Sequence, residues 1–166
     1  MDLIERKRHT NSNDPWLDVL SAQVQYRAGN PKKAFQTWEK VITDHPKEEH
    51  IVIQVAEAMG QEQLWDRALH VYIDARKHFG KPELYCLNLA HVYEMNNMYD
   101  KAVEELIVFL KKYPSQINVV ENRLMQYPSN EKTVYKIAYA LKRGIEKETK
   151  KIHRLFKWDK KRLHIE

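Results

Sequence analysis

The sequence repeats with a period of 34 residues, and this repetition constrains the fold more than any other feature. Small residues recur at that spacing in two columns: Ala22, Ala56 and Ala90, and Ala34, Ala68 and Ala102. Large side chains recur in a third column, at Trp38, Tyr72 and Leu106. Since the apolar spacing inside each unit is helical, the repeat predicts stacked helix pairs that bury their apolar faces against one another.

Capping residues divide each unit into two helices. Asp14 and Pro15 suit the N-cap and the first position of a helix, and Gly29 suits the left-handed conformation that ends one. Apolar spacing predicts the later helices at 48–61, 64–79, 82–95 and 98–112, with Gly80 ending the second pair, Pro82 near the start of the third and Asn97 as a cap.

This pattern resembles the tetratricopeptide repeat, a helix-turn-helix unit with a small residue in each helix and a proline near its end. The resemblance covers three units, residues 15–116. It implies an all-α fold, a right-handed superhelical solenoid of helix-turn-helix repeats with a C-terminal helical cap. The implied function is a non-catalytic protein-protein interaction scaffold whose first helices line a concave groove for a peptide or partner helix.

The columns that line the groove in such arrays give a set of candidate partner-binding residues. In this chain they are Trp16, Gln23, Tyr26, Arg27, Gln54, Glu57, Asn88, His91 and Glu94. Some family members bind acidic chaperone tails with a clamp of lysine, arginine and asparagine side chains. Its five positions are occupied here by Val19, Gln23, Gln54, Leu84 and Asn88, so the clamp is missing and a chaperone-tail function is disfavoured.

After Pro114 the 34-residue period is lost. Residues 116–126 are predicted to form a short helix with Ile117, Val120, Leu124 and Tyr127 on one face, capped by Ser115 and ended by Pro128. In one interpretation this helix is inserted, and 130–143 is a fourth first helix with Ala138 in the small column. In the other, 116–126 is a shortened first helix and 130–157 is one long closing helix. Around the repeats, the predicted segments are an N-terminal extension (1–14), an irregular repeat with capping helices (117–157) and a basic tail (158–166).

Positive charge is concentrated at the C-terminal end. Residues 142–166 hold ten lysines and arginines against four acids, whereas the other 141 residues are nearly neutral. The fourth first helix would present a basic patch with two tyrosines: Lys132, Tyr135, Lys136, Tyr139, Lys142 and Arg143. Such a patch suits an acidic peptide or a nucleic-acid backbone, which gives an alternative function as a nucleic-acid-associated helical repeat. The competing interpretation is that both tyrosines pack on the preceding helix and the lysines form a solvated cap.

The sequence contains no pattern of catalytic residues. It has no glycine-rich phosphate loop, no HExxH and no GxSxG motif, so we predict that the chain is not an enzyme and uses no cofactor. Its single cysteine, Cys86, is expected to be buried and inert. His70, Asp74 and His78 share one helix face, but an exposed polar stripe is favoured over a metal site because no fourth ligand is suggested.

The N-terminal residues lack the apolar segment of a signal peptide, and no run of apolar residues is long enough for a membrane span. A cytoplasmic location and no membrane association are therefore expected. The partner would be a protein or peptide, while the sequence leaves open whether the chain forms homo-oligomers.

Overall fold

A computed structural model describes residues 14–146 of the chain. Over this range the chain forms α-helices and one turn of 3-10 helix at Pro114–Gln116, with no strand, which confirms the predicted all-α class. The helices are α1 (Pro15–Arg27), α2 (Pro31–Asp44), α3 (Glu49–Gln61), α4 (Trp65–Phe79), α5 (Cys86–Met95), α6 (Tyr99–Lys112), α7 (Ile117–Met125) and α8 (Glu131–Glu146). They belong to two compact units, unit 1 ending at Gly80 and unit 2 beginning at Lys81.

Within each unit, consecutive helices pack as hairpins. In unit 1, α1 packs on α2, α3 packs on α4, and α1 also contacts α3. In unit 2, α5 packs on α6, and α8 packs along α6. All six alanines of the two predicted columns are buried, as are Trp38, Tyr72 and Leu106. The predicted helix-pair repeat is therefore confirmed, because its small residues lie where paired helices approach closely.

The turn inside each helix pair repeats as strictly as the alanines. Gly29, Gln63 and Asn97 are 34 residues apart, and each has a positive φ, of 81°, 59° and 56°. After each of them, the next N–H donates to a carbonyl five residues earlier, at 3.0 Å for Asn30, 3.0 Å for Leu64 and 2.8 Å for Met98. Glycine was expected at the first of these turns, but Gln63 and Asn97 adopt the same left-handed conformation at a steric cost.

Asp14 and Gly80 cap helices as predicted. The Asp14 Oδ1 accepts a hydrogen bond from the Trp16 N–H at 3.0 Å. Gly80 ends α4 in the left-handed conformation, with φ 63°. The predicted cap at Asn97 is wrong, because its φ is left-handed and the N-cap of α6 is Met98.

The third repeat begins later than predicted. Helix α5 starts at Cys86, not at residue 82, because Tyr85 has a φ of 60° and breaks the helical path. The Tyr85 side chain is buried, so its packing holds a conformation that costs an ordinary residue about 1–2 kcal/mol. Pro82 therefore lies in a turn, and the first helix of this repeat is four residues shorter.

Helix α7 forms where the short helix was predicted, and its apolar face is buried at Ile117, Val120 and Leu124. Ser115 does not cap it, since Ser115 lies inside the 3-10 turn and the N-cap is Gln116. Tyr127, just after the helix, is buried with that face.

Helix α8 packs on α6 with a face that the repeat register did not predict. Ile137, Ala140 and Leu141 are buried in the core cluster, whereas Ala138 is only half-buried. The assignment of Ala138 to the small column is therefore wrong. The predicted continuation to residue 157, the N-terminal extension and the basic tail lie outside the described residues.

Candidate functional site

The candidate residues of unit 1 lie on α1 and α3. Trp16 is 37% exposed at the start of α1. Tyr26 instead faces α2, where its ring centroid lies 5.9 Å from that of Phe35 and 6.2 Å from that of Trp38. We call the surface formed by Trp16, Gln23, Arg27, Gln54 and Glu57 the inner face of unit 1.

A polar network at one end of the inner face joins the two helices. The buried Gln23 donates from Nε2 to Gln61 Oε1 at 2.9 Å and to Glu62 Oε1 at 2.6 Å. Arg27 donates to the same carboxylate through Nε at 2.8 Å. The hydrogen bond from Arg27 is the main cause that holds the pKa of Glu62 below its usual value. Gln23 and Arg27 therefore tie α1 to the end of α3.

Gln54 lies on α3 away from that network, and its side-chain carbonyl is not hydrogen-bonded. The Oε1 atom is buried and has no hydrogen-bond partner among the described residues. A buried polar atom in this state costs about 1–3 kcal/mol. One helical turn further along α3, Glu57 is exposed to solvent.

In unit 2, the candidate residues lie on α5 and differ in their surroundings. The His91 side chain is 56% exposed, with Nδ1 3.9 Å from Glu94 Oε2, and Asn88 is half-buried. Glu94 is only 17% exposed and lies in a cleft of about 700 Å³ between α5 and α7.

Arg123 and Tyr127 hold the Glu94 carboxylate. Arg123 donates to it from Nε at 2.6 Å and from Nη2 at 2.8 Å, and from Nη1 to the Leu87 carbonyl at 3.3 Å. The Tyr127 hydroxyl donates to Glu94 Oε1. Burial and then this hydrogen bond raise the pKa of Tyr127 far above its usual value. Burial acts to lower the pKa of Arg123, but Glu94 outweighs it and the pKa is raised.

Arg123 was not among the candidate residues predicted from the sequence. One signal for it was available: Arg123 is the only basic residue between 117 and 127. An arginine that is buried beside an apolar face is usually paired with an acid. Arg123 on α7 hydrogen-bonds Glu94 on α5. In unit 1 the first helices of two successive repeats are joined in the same way, by Gln61 on α3 and Gln23 on α1. This arrangement corresponds to the interpretation in which α7 is a shortened first helix.

The six residues of the basic patch lie together on the exposed face of α8. Tyr135 is 72% exposed and Tyr139 is 56% exposed, so neither ring is buried against the preceding helix, contrary to the competing interpretation. The Arg143 guanidinium lies 5.9 Å from the centre of the Tyr139 ring, and its Nη1 is 3.5 Å from Glu104 Oε1. Lys132, Lys136 and Lys142 are exposed.

Residues 14–146 contain no group of three histidine, cysteine or acidic side chains placed to hold a metal ion. His70 Nδ1 lies 2.6 Å from the Asp66 carbonyl, and His78 Nε2 lies 3.0 Å from the Pro46 carbonyl. Asp74 pairs with Lys77 at 3.1 Å. Cys86 is buried as predicted, with Sγ 3.0 Å from the Glu83 carbonyl.

Between residues 14 and 146, no helix has the length and apolar character needed to cross a bilayer.

Comparison with known proteins gives one family match. Residues 19–48 match the family model described as the tetratricopeptide repeat, a segment that includes most of α1, all of α2 and the turn after it. No curated protein matches the chain. A tetratricopeptide repeat implies a protein-protein interaction scaffold in general. The match supports the tetratricopeptide repeat family over residues 19–48, and the recurrent helix pairs are consistent with such a repeat array.

Proposed function

We propose that the chain is a non-catalytic scaffold that binds a peptide or partner helix through its first helices. In unit 1 the binding surface is the inner face, and in unit 2 it includes Asn88 and His91 on α5. Within the inner face, Gln23 and Arg27 hold α1 to the end of α3 through the hydrogen bonds described above, and in unit 2 Glu94 holds α5 to α7. The expected location is the cytoplasm, as the sequence indicates.

The observation that carries the proposal is the unpartnered Gln54 carbonyl. A bound peptide presents backbone N–H groups along its length. After the Gln54 side chain rotates, one of these N–H groups can donate to its Oε1 atom. The binding partner thereby supplies the hydrogen bond that the free protein lacks. Trp16 provides exposed aromatic area on α1, and tryptophan is a frequent energetic anchor of interfaces.

A displayed library of random peptides tests this proposal. Peptides are selected on the whole chain, and their affinities are then measured for the wild type and for the variant Gln54→Ala/Asn88→Ala/His91→Ala. We expect the triple variant to remain folded and to lose at least about tenfold in affinity. The matched control is Gln36→Ala, an exposed glutamine on α2. Equal affinities for the wild type and the folded triple variant would refute the inner-face assignment.

A second candidate function is nucleic-acid binding by the basic patch. The observation in its favour is that Tyr135 and Tyr139 expose their rings between lysines on one helix face. Lysine and arginine attract phosphates, and exposed rings stack on unpaired bases, so the ligand would be single-stranded.

Fluorescence anisotropy with a single-stranded RNA of about 12 nucleotides, at about 50 and 200 mM salt, tests this alternative. If the RNA binds on the basic patch, Tyr135→Ala/Tyr139→Ala should weaken binding at both salt concentrations. In that case Lys132→Gln/Lys136→Gln should also reduce the salt dependence. The control is Lys40→Gln/Lys47→Gln, which removes two exposed lysines from unit 1. If the control variant loses as much RNA affinity as the patch variants, the binding is nonspecific charge attraction and does not depend on the patch.

A further inference from the structure

We propose that unit 1 has a second binding surface, a groove between α2 and α4 that accepts an amphipathic helix with a basic side chain at its centre. The groove has a volume of about 890 Å³. It lies on the second helices of the two repeats, whereas the inner face lies on the first helices. We call it the α2–α4 groove.

The floor and walls of the α2–α4 groove are largely apolar. Phe35 and Ile42 on α2 and Val71 and Phe79 on α4 line it, and all four are half-buried. The Arg67 guanidinium lies 3.8 Å from the centre of the Phe35 ring. Groups of partly exposed apolar side chains in a concave surface are typical of sites that bind an apolar partner.

The equivalent face of α6 in unit 2 indicates what kind of segment the α2–α4 groove can bind. Phe35, Glu39 and Ile42 are three of the α2 residues that line the groove. Two repeats later they correspond to Val103, Ile107 and Leu110 on α6. Those three residues of α6 are buried in one apolar cluster with residues of α8. An amphipathic helix therefore covers this face of α6 in unit 2.

The contact at the centre of that face is close. Gly144 of α8 lies directly against Ile107, and a Cβ atom at position 144 would collide with the Ile107 side chain. The α2–α4 groove has Glu39 at the position that corresponds to Ile107, and Glu39 is exposed. A helix bound there therefore meets a carboxylate where α8 meets a methyl group.

The charges around the groove favour a cationic occupant. Glu39, Asp66 and Asp74 line it, against the single guanidinium of Arg67. Asp74 also pairs with Lys77, so Glu39 is the carboxylate best placed to pair with a bound helix. The occupant is a helix of a partner protein with an apolar face like that of α8 and a lysine or arginine where α8 has Gly144. A second copy's α8 is disfavoured, because its apolar face is already buried in its own unit.

Synthetic peptides with the sequence of residues 131–146 serve as the probe, because this helix is seen to cover the corresponding face of α6. Three versions are labelled with fluorescein: Gly144→Lys, Gly144→Gln and Gly144→Glu. The glutamine peptide controls for the gain in helix propensity over glycine, since lysine, glutamine and glutamate have similar propensities. Anisotropy is measured against the whole chain at low salt.

We expect the Gly144→Lys peptide to bind about fivefold more tightly than the Gly144→Gln peptide, and the Gly144→Glu peptide to bind more weakly than both. In the chain variant Glu39→Lys the order of the lysine and glutamate peptides should reverse. Since Glu39 is exposed, this variant should keep the wild-type melting temperature.

The chain variant Gln54→Ala distinguishes the groove from the inner face. Unchanged peptide affinity in this variant supports binding in the α2–α4 groove whether or not the inner face binds its own ligand. Three results would overturn the proposal: no saturable binding of the Gly144→Lys peptide, the same peptide order in the wild type and Glu39→Lys, or a loss of binding in Gln54→Ala.

Discussion

The contact between α5 and α7 gives a prediction whose size follows from the geometry. In the variant Glu94→Leu, Arg123 loses two hydrogen bonds and keeps only the long one to the Leu87 carbonyl. The Tyr127 hydroxyl, on a residue that is 5% exposed, loses its acceptor. The variant therefore removes the carboxylate that a guanidinium and a hydroxyl share in a largely buried position.

Removal of one partner of a buried ion pair costs about 3–5 kcal/mol, whereas an exposed pair contributes about 0–1 kcal/mol. The Arg123 side chain is 21% exposed, so water reaches part of the guanidinium and reduces the loss. We expect Glu94→Leu to lower the free energy of unfolding of unit 2 by about 2–4 kcal/mol. The triple variant Glu94→Leu/Arg123→Met/Tyr127→Phe should recover most of this loss, because it also removes the guanidinium and the hydroxyl that the single variant deprives of the Glu94 carboxylate.

Hydrogen exchange measured by mass spectrometry on peptides from α5 and α7 follows unit 2 directly. In a Trp158→Phe background the remaining tryptophans, Trp16, Trp38 and Trp65, all lie in unit 1, so tryptophan fluorescence monitors the other unit as a control. The reasoning fails if Glu94→Leu costs less than about 1 kcal/mol, or if the triple variant is as unstable as the single one.

Three further predictions concern unit 1. Gln63→Gly should raise the free energy of unfolding by about 0.5–1 kcal/mol, measured by urea denaturation, because glycine adopts the left-handed turn without strain, whereas Gln63→Ala should give no gain. The pKa of Glu62 is lowered in the folded state, so the stabilisation by Arg27 is present above the unfolded pKa and is lost as pH falls through the folded one. Arg27→Met should therefore lower the urea midpoint near neutral pH. If the midpoints of the wild type and the variant differ as much at about pH 2, this explanation is wrong. Ala68→Leu should overpack the α3–α4 hairpin and cost about 1–3 kcal/mol, and an unchanged melting curve would show that the alanine column is misplaced.

Most of the fold is predictable from the sequence because the repeat places the same residue types in the same surroundings. The alanine columns, the bounds of α3, α4 and α6, and the buried face of α7 all follow from periodicity. The late start of α5 does not, since it depends on a left-handed Tyr85 that is held by tertiary packing. A helix was predicted at the position of α8, but its packing face was missed, because that face follows α6 and not the 34-residue register.

The candidate site was less predictable for a different reason. Family columns identify which residues lie on the first helices, but they do not show which side chains are already used inside the protein. Gln23 and Glu94 are examples, because their hydrogen-bond partners lie on other helices and have no periodic relation to them. That the buried Gln54 carbonyl has no hydrogen-bond partner among the described residues likewise cannot be seen from the family columns.

The most direct test of the proposed function compares stability and binding in the single variant Gln54→Leu. Leucine removes the unpartnered carbonyl at nearly constant volume, so the free energy of unfolding should stay equal or rise by about 1 kcal/mol. Titration calorimetry with a library-selected peptide should show affinity lowered by at least about tenfold in the same variant. A destabilised protein that binds the peptide as tightly as the wild type would contradict the account, since Gln54 would then serve the fold and not the partner.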